Sequence, residues 1–352
     1  MTGKERILNA IAGKKSDMCP LTIHGWGQYK FAMQGIIKDY SEEEAAWGMH
    51  GDGLAEVEEK FREAFPVDWM HLSEGRFFDD IKLRIQAPER AGLLKEVRRL
   101  ESKQAIDEFL DQIYLSVEEF ENGTKFEHLK TLSKKYGDEL FVVLHTEGPI
   151  YDIGDKNGIL EFEGMMMAML EKPEMFAYLA RGMHQRQLRY VEAVKRCGAH
   201  SYTQSEGYFT PDLVSPEVFE RTMLDVLIEF YGAVGEMGLV PMCYYLGDVT
   251  GHVKYIKRMG FKGLILEESK KSMAIDPAKI IRELGEDRAV FGNVDSIGAL
   301  LKGSREDIRA AAHRQIKDAG SNSFVAGIGS PIPFGTPPEN IRAFIDAVRE
   351  YS

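Results

Sequence analysis

The sequence lacks the features typical of membrane, disulfide-stabilised and nucleic-acid-binding proteins. It has three cysteines in 352 residues and no CxxC pair, so neither a disulfide framework nor a zinc ribbon is expected. No apolar run approaches the roughly 18 residues of a transmembrane helix, and the first residues lack the apolar core of a signal peptide. Basic residues form no block, and the formal net charge is −12, which disfavours nucleic acid and anionic membranes as partners. We therefore expect a cytoplasmic protein.

Short segments rich in strand-forming residues alternate with amphipathic helical stretches along the chain. The eight predicted strands lie at 20–25, 67–75, 140–148, 200–207, 239–248, 261–269, 288–295 and 323–330. Such alternation predicts an α/β fold with parallel strands and right-handed helical crossovers. Eight units of this kind close into a (β/α)8 TIM barrel, whereas the rival open doubly wound sheet would carry a GxGxxG turn after its first strand. With no Pro-, Gly- or Ser-rich linker, residues 1–352 are expected to form one domain.

Two segments exceed what a minimal barrel needs and predict N-terminal helical insertions. Residues 26–66 are expected to hold helices and loops. Residues 76–139 are long and charged, and their portion 84–102 could add a hairpin. Helix starts are marked by capping side chains. The predicted caps include Thr2 with Glu5, Asp276 before Pro277, and Thr336 with Glu339.

The carboxyl ends of the strands are where a barrel of this kind places its active site. The candidates found there are His24, Trp26, His71, Glu74, His145, Glu147, Tyr202, Gln204, Glu206, Cys243, Tyr245, Asp248, Glu267, Glu268, Asn293, Asp295 and Ser330. This set is aromatic and acidic, which suits a neutral or cationic organic substrate or a divalent metal better than a phosphate. Because adjacent strand residues point to opposite faces, one of Glu267 and Glu268 should face the barrel interior.

The last third of the chain carries a resemblance to a known family. The run "FGNVDSIGALLKGSREDIRAAAHRQIK", followed by "GIGSPIPFGTPPENIRAFIDAVREY", is similar to the uroporphyrinogen decarboxylase superfamily, and so are "LVSPEVFE" and "EAFPVDWMHLS". The resemblance covers nearly the whole chain and implies the (β/α)8 barrel. True decarboxylases of the family carry an Arg-rich N-terminal segment, whereas "CPLTIHGWGQYK" here has no arginine. Decarboxylation is therefore not expected.

The resemblance extends to the corrinoid-dependent methyltransferase branch of the superfamily. Members that methylate a thiol such as coenzyme M hold zinc through His-x-Cys and a later Cys, and the corresponding residues here are Tyr244, Leu246 and Ser330. The chain resembles instead the methyltransferase I of aromatic O-demethylases. These enzymes move the methyl group of a methoxylated aromatic compound to the Co(I) corrinoid of a separate corrinoid protein. The resemblance thus implies a methoxyarene substrate, a corrinoid-protein partner and, by analogy, a homodimer.

The same resemblance guides the choice of site residues, because a departing phenolate needs a general acid or a Lewis acid beside it. O-demethylases of this type are associated with a Glu–Glu–His zinc pattern. The nearest set is Glu147, Glu163 and His184, in which Glu147 lies one residue too far away. A rival metal set is Glu206, Asp248 and Glu267, and a metal-free site also stays open. The predicted catalytic residues are Glu206, Tyr202 and Glu267, and the predicted substrate contacts are His24, Trp26, His145, Tyr244, Tyr245, Asp248 and Asn293.

Two alternative functions stay open at this point. One is methyl transfer between a methylcorrinoid and a thiol or a pterin. The other is a non-catalytic ligand-binding protein on the same scaffold. Several carboxylates gathered at strand ends argue against the second, because unpaired buried charge costs stability.

Overall fold

Seven parallel strands, paired in chain order, form the central sheet in a computed structural model of the chain. They are β1 (Trp69–Ser73), β2 (Phe141–Glu147), β3 (Ser201–Glu206), β4 (Val240–Tyr245), β5 (Gly263–Leu266), β6 (Ala289–Phe291) and β7 (Phe324–Val325). All seven lie within predicted strand segments. The structure describes residues 1–25, 29–30, 52–73, 78–123, 126–270, 273–285 and 287–351. The predicted site residue Trp26 and the candidate Glu74 lie outside these ranges.

Helices connect the strands and cover the outside of the sheet. They are α1 (Gly3–Ile11), α2 (Asp52–Ala64), α3 (Phe78–Ile85), α4 (Ala91–Val97), α5 (Lys103–Ile113), α6 (Val117–Asn122), α7 (Glu127–Tyr136), α8 (Pro149–Gly154), α9 (Glu161–Glu171), α10 (Pro173–Arg196), α11 (Pro216–Phe219), α12 (Asp225–Glu236), α13 (Val253–Ile256), α14 (Pro277–Leu284), α15 (Arg305–Ala319) and α16 (Pro338–Glu350). Short π-helical turns occur at Glu220–Leu224 and Ser296–Leu301. None of the helices in the described ranges is long and apolar enough to cross a membrane.

The first predicted strand, 20–25, is wrong as a strand, because it forms only one β-bridge, between Leu21 and Ala326. Its backbone nevertheless bonds in both directions. The Thr22 N–H donates to Ala326 O at 2.9 Å, and the Asp68 N–H donates to Leu21 O at 2.9 Å. Pro20 has no N–H to contribute to a longer ladder. The segment therefore joins the two outer strands, β7 and β1, and the curled sheet is consistent with a TIM-barrel-like fold.

The sheet curls around its inner face and packs its outer face on the helices. Tyr244 of β4 lies several strands away from His24 in the joining segment, yet their ring centroids are 5.2 Å apart. Trp69 of β1 likewise stacks on Phe291 of β6 at 5.8 Å. Contacts this short between distant strands require both pairs to lie inside the curl. Side chains on the other face of each strand pack between the sheet and the helices.

Two local predictions fail for identifiable reasons. The predicted hairpin at 84–102 is helical: α3 ends there, a 3₁₀ turn spans Pro88–Arg90, and α4 follows. Its leucine, glutamate, lysine and arginine residues favour helix over strand. Thr2 and Asp276 cap their helices as predicted. Thr336 does not, because its hydroxyl donates to Pro333 O at 2.8 Å instead.

In the part of the chain that the structure describes, the helices α3 to α7 lie between β1 and β2. The insertion predicted at 26–66 is described only in part: residues 29–30 are helical, and α2 lies further along. Residues 31–51 lie outside the described ranges. The N-terminal helical insertion therefore stays a prediction over that stretch.

Candidate functional site

Three histidine rings and one tyrosine ring meet on the inner face of the sheet. The ring centroids of His24 and His71 are 5.1 Å apart, those of His71 and His145 are 5.0 Å apart, and those of His145 and Tyr244 are 5.6 Å apart. None of these four residues is more than 4% exposed. We call His24, His71 and His145 the inner histidine cluster. It gathers two predicted substrate contacts, His24 and His145, with the predicted contact Tyr244.

The inner histidine cluster continues into a serine through a row of hydrogen bonds. The Nε2 of His71 lies 2.8 Å from the Nδ1 of His145, and the Nε2 of His145 lies 2.8 Å from the Oγ of Ser205. Burial lowers the pKa of His145 to about 3 and holds the pKa values of His24 and His71 well below the ordinary value. The three rings are therefore neutral at pH 7. This part of the site suits an uncharged aromatic ligand better than an anion.

A hydroxyl–carboxyl group lies beside Tyr244 at the carboxyl end of the sheet. Ser330 donates a hydrogen bond from Oγ to Glu268 at 2.6 Å, and the Tyr244 hydroxyl donates to Gly329 O at 3.1 Å. Burial raises the pKa of Glu268, although the hydrogen bond from Ser330 opposes this effect. The side chain of Ser330 also interacts with that of Tyr244. The carboxyl group of Glu268 thus keeps its proton to a higher pH than an ordinary glutamate does.

Glu267, a predicted catalytic residue, has a different environment from its neighbour Glu268. Its carboxylate accepts hydrogen bonds from the Gly247 N–H at 3.0 Å and from Lys270 Nζ at 2.9 Å. Asp248 accepts from the Thr250 N–H at 2.8 Å, which closes a tight turn after β4. Both carboxylates therefore hold loop backbone. The expectation that one member of the Glu267–Glu268 pair is buried at the site holds for Glu268, which is 3% exposed.

Tyr202 and Glu206, the other predicted catalytic residues, lie on the outer face of β3. The Tyr202 hydroxyl accepts from Gln187 Nε2 at 3.0 Å, in the layer between the sheet and α10. Glu206 accepts from Gln204 Nε2 at 2.8 Å and from the Tyr231 hydroxyl of α12 at 3.1 Å. Burial raises the pKa of Glu206 to about 7. Successive side chains of a strand point to opposite faces of the sheet, and these two residues point to the outer face. The structure thus separates both from the inner histidine cluster.

Two further predicted substrate contacts are also placed away from the cluster or at its edge. Tyr245 follows Tyr244 and faces the helices, where its hydroxyl donates to Phe209 O at 2.8 Å and lies 2.6 Å from His252 Nδ1. Asn293 is half-buried just after β6. Of the predicted contacts in the described ranges, His24, His145 and Tyr244 are the ones that the structure brings together.

The predicted zinc ligands Glu147, Glu163 and His184 do not form a metal site. Glu163 is exposed on α9, while His184 is buried in α10 with its Nδ1 donating to Ala180 O at 2.8 Å. Glu147 is half-buried at the end of β2, where burial and the nearby Asp155 raise its pKa to about 7. Within the described ranges, no three His, Cys, Asp or Glu side chains are grouped so that they could hold a metal.

The rival set Glu206, Asp248 and Glu267 fails the same test, since Glu206 faces the helices and the other two bind loop backbone. The spacing of the residues along the chain suggested both sets, but in the structure neither set of three side chains surrounds a common point. Among the described residues, these two sets therefore do not fit a zinc ion, and we assign no step to one.

Sequence reasoning missed Ser205, and it ranked Glu268 and His71 below their neighbours. A usable signal is present in β3, where small polar residues alternate with large ones. Ser201, Thr203 and Ser205 share one face, and Tyr202 begins the other. The narrow interior of a curled sheet has room for the small set, and the large set fills the wider space beneath the helices. Side-chain size could thus have assigned the faces.

A separate cleft of about 910 Å³ lies at the opposite, amino ends of the strands. Its lining includes Arg282 and Lys317, which occupy the last turns of α14 and α15. Cations at helix carboxyl termini offset the partial negative charge of the helix dipole. The cleft is remote from the inner histidine cluster, and this explanation of its charges requires no ligand.

Comparisons with known proteins identify the family of the chain and support its fold. The family model described as uroporphyrinogen decarboxylase (URO-D) matches residues 106–351. Methylcobamide:CoM methyltransferase MtaA of Methanosarcina barkeri is 27% identical over 226 residues, which cover 64% of this chain and 62% of that protein. Methylcobamide:CoM methyltransferase MtbA of Methanosarcina mazei is 23% identical, with 99% of this chain and 98% of that protein covered.

One solved structure supports the fold itself. A methyltransferase from Methanosarcina mazei superposes with a TM-score of 0.78 at 19% identity, and 100% of this chain and 99% of that chain are covered. MtaA and MtbA are methylcobamide:CoM methyltransferases, which agrees with the resemblance to the corrinoid-dependent branch. The match to MtaA spans less than two thirds of that protein's length.

Proposed function

Because the chain belongs to the uroporphyrinogen decarboxylase family, we propose that it is a corrinoid-dependent methyltransferase that demethylates a methoxylated aromatic compound. The corrinoid, carried by a separate protein, supplies the Co(I) centre that receives the methyl group. In the substrate, the bond between the methyl carbon and the ether oxygen breaks, and its electrons stay on oxygen. That oxygen must then take up one proton. The methylcobamide relatives support a corrinoid as the methyl acceptor.

The observation that carries this proposal is the buried carboxyl group of Glu268, whose pKa is raised by burial, beside Tyr244 and Ser330. A phenolate is a poor leaving group unless it is protonated as it departs. Burial raises the pKa of Glu268, which favours its protonated form, and Ser330 fixes the orientation of the carboxyl group. The resemblance places Tyr244 and Ser330 where thiol-methylating relatives carry zinc ligands. Hydroxyl and carboxyl groups at these positions favour protonation of a leaving oxygen over activation of a thiol.

The inner histidine cluster supports an aromatic methyl donor. Its rings are neutral, because burial lowers their pKa values, and they stand beside the ring of Tyr244. Edge-to-face contacts such as that of His24 with Tyr244 show that flat rings pack readily here. An anionic substrate would find no cation in the cluster. A neutral methoxyarene fits this chemistry.

A partner protein is supported by apolar side chains exposed after the carboxyl ends of the strands. Phe162 follows β2, Leu213 follows β3, and Phe334 follows β7, with Phe334 71% exposed. Large apolar side chains that are exposed after the carboxyl ends of the strands offer contacts that a bound protein could cover. We assign this surface to the corrinoid protein, which must approach the end of the sheet where Glu268 lies.

The test is an anaerobic absorbance assay of the protein with cob(I)alamin and guaiacol or veratrole. We expect loss of the Co(I) absorbance and formation of methylcob(III)alamin only when the protein is present. Glu268→Gln should lower the rate by roughly 10²- to 10⁴-fold, because an amide cannot donate the proton. Glu267→Gln is the matched control, and it should retain most of the activity since that carboxylate binds loop backbone.

Two results would count against the proposal. Glu268→Gln with full activity would remove Glu268 as the acid. Methylation of CoM from methylcob(III)alamin, without methylation of cob(I)alamin by either methoxyarene, would overturn the direction of transfer. Such a result would favour the thiol reaction of the relatives instead.

A further inference from the structure

The cleft at the amino ends of the strands takes no part in the proposed demethylation. Its volume of about 910 Å³ lies within the range of roughly 300–1,000 Å³ that is usual for small-molecule sites. Its walls come from the segment after α1, from the last turn of α14, and from the end of α15 with the loop that follows. The Ala326 N–H donates to Pro20 O at 2.8 Å, which ties the first of these walls to the last. The cleft is therefore built by chain segments that hold one another in place.

Three cations line this cleft, and none of them is neutralised by the chain. Lys15, Arg282 and Lys317 are exposed, and within the described residues none of the three belongs to an ion pair. Asp17 is the one carboxylate among the described lining residues, and it is already held by Arg6 at 2.7 Å and by the amino-terminal ammonium group at 3.0 Å. The cleft therefore carries excess positive charge in a protein whose formal net charge is −12.

Helix dipoles explain where two of these cations stand, but not why they are unpaired. Arg282 and Lys317 lie in the last turns of their helices, whereas Lys15 lies four residues beyond the end of α1. The effect of a helix dipole falls off within the last turn. In the last turn of α10, the comparable cation Arg196 pairs with Glu192 at 3.1 Å. A cation at a helix end can thus be neutralised by the chain, and the described residues provide no such partner at the cleft.

The lining also offers an apolar surface and an unused hydroxyl group. Ile281 of α14, Ile316 of α15 and Phe324 of β7 are among the lining residues. The Ser16 hydroxyl belongs to the same lining, is shielded from water, and has no hydrogen-bond partner in the part of the chain that the structure describes. A hydroxyl group donates to an anionic oxygen. The cleft thus presents cations and a donor to a charged group, and apolar side chains to an organic group.

We propose that this cleft binds an organic phosphate of nucleotide size. Phosphate groups carry oxygen atoms on all sides, so cations on three walls can each reach one, whereas a single carboxylate offers two oxygens in one plane. The guanidinium group of Arg282 suits phosphate in particular, because it donates two parallel hydrogen bonds. The apolar lining receives the organic part of the ligand. This site lies outside the proposed reaction and adds a second ligand to the protein.

Isothermal titration calorimetry with ATP as the probe, in a buffer without divalent cations, tests the proposal. ATP should bind at one site per chain, and tripolyphosphate and adenosine should each bind more weakly, because each lacks one part of the recognised structure. Arg282→Gln and Lys317→Gln should each weaken ATP binding by roughly 3- to 10-fold, a modest factor since both cations are exposed. Binding should also weaken as the ionic strength is raised.

Arg196→Gln is the matched control, because it removes the same charge from the last turn of a helix that does not line the cleft. It should leave ATP binding unchanged. The three replaced side chains are exposed, so all three variants should fold, and circular dichroism spectra check this.

Three results would count against the inference. An absence of ATP binding, or equal affinity of the unmodified protein and both cleft variants, would overturn it. Tripolyphosphate bound as tightly as ATP would refute an organic phosphate as the ligand, because the cleft would then recognise charge alone. Equal weakening by Arg196→Gln would show that overall charge governs binding, and not this cleft. The titration uses neither a methyl donor nor a corrinoid, so its result is independent of the proposed function.

Discussion

Replacement of Glu206 by glutamine should remove a pH dependence of stability that arises from one buried carboxyl group. Glu206 is 1% exposed, and burial raises its pKa to about 7 from an ordinary 4.5. Within the described residues, Oε2 of Glu206 and Oε1 of Gln204 have no hydrogen-bond partner. A proton on Oε2 would make that atom a hydrogen-bond donor, whereas the ionised carboxylate can only accept. Glutamine resembles this protonated acid in shape and in its ability to donate.

The sign follows from proton binding. Between pH 4.5 and about 7 the folded protein binds this proton and the unfolded chain releases it, so stability falls as the pH rises. The contribution is complete below pH 4.5 and lost above about 7. The difference between the ordinary pKa of 4.5 and the folded-state pKa of about 7 corresponds to about 3 kcal/mol in the free energy of unfolding. Glu206→Gln should therefore match the unmodified protein near pH 5 and exceed it by up to about 3 kcal/mol at pH 8.

The assay is urea unfolding followed by circular dichroism at several pH values between 5 and 8. The quantity of interest is the difference between the two proteins, because buried histidines such as His184 titrate in both and cancel. Glu163→Gln is the control, since Glu163 is exposed on α9 and its replacement should give no such difference. Parallel pH curves for the unmodified protein and Glu206→Gln would refute the reasoning, because they would mean that Glu206 is ionised when buried.

Two further predictions concern stability. Lys30→Met should destabilise the protein by roughly 3–5 kcal/mol in urea unfolding, because it leaves the carboxylate of Glu58, 2.7 Å from Lys30 Nζ, buried without its cation. The double change with Glu58→Met should recover much of this loss, and an equally unstable double variant would argue against the ion pair as the cause. Gly247→Ala should cost more than Gly238→Ala in thermal unfolding, because both have positive φ but only Gly247 would place a Cβ 2.5 Å from Thr210. Equal melting temperatures for the two alanine variants would contradict this.

The sequence predicted the strands well because most of them are apolar or β-branched runs that end in glycine or polar residues, although β3 is largely polar. The segment 20–25 has the same pattern, but its outcome depended on partners far along the chain. It lies against β7, which is only two residues long, and against Asp68 just before β1. The residues of the segment itself carry no information about the length of β7, which is far away in the sequence.

The site was harder to predict because a strand buried on both faces gives no clue to its orientation. In β3, the sequence predicts Glu206 as a catalytic residue, whereas the side chain that faces the interior is that of Ser205. The two glutamates after β5 were recognised as a pair with one inward member, and the backbone of a neighbouring loop decided which. Gly247 offers its N–H to Glu267, so Glu268 is the one that remains for Ser330.

The joining segment at 20–23 sets the order in which the molecule can be completed during synthesis. Thr22 bonds to Ala326, 304 positions later, and Asp68 binds Arg349, 281 positions later. A nascent chain can pair the joining segment with β1, but the other edge of that segment stays unpaired until the last strand leaves the ribosome. Unpaired edges recruit other strands, and closure over so long a loop is slow. The sheet therefore stays open at this edge until the residues of β7 have been synthesised.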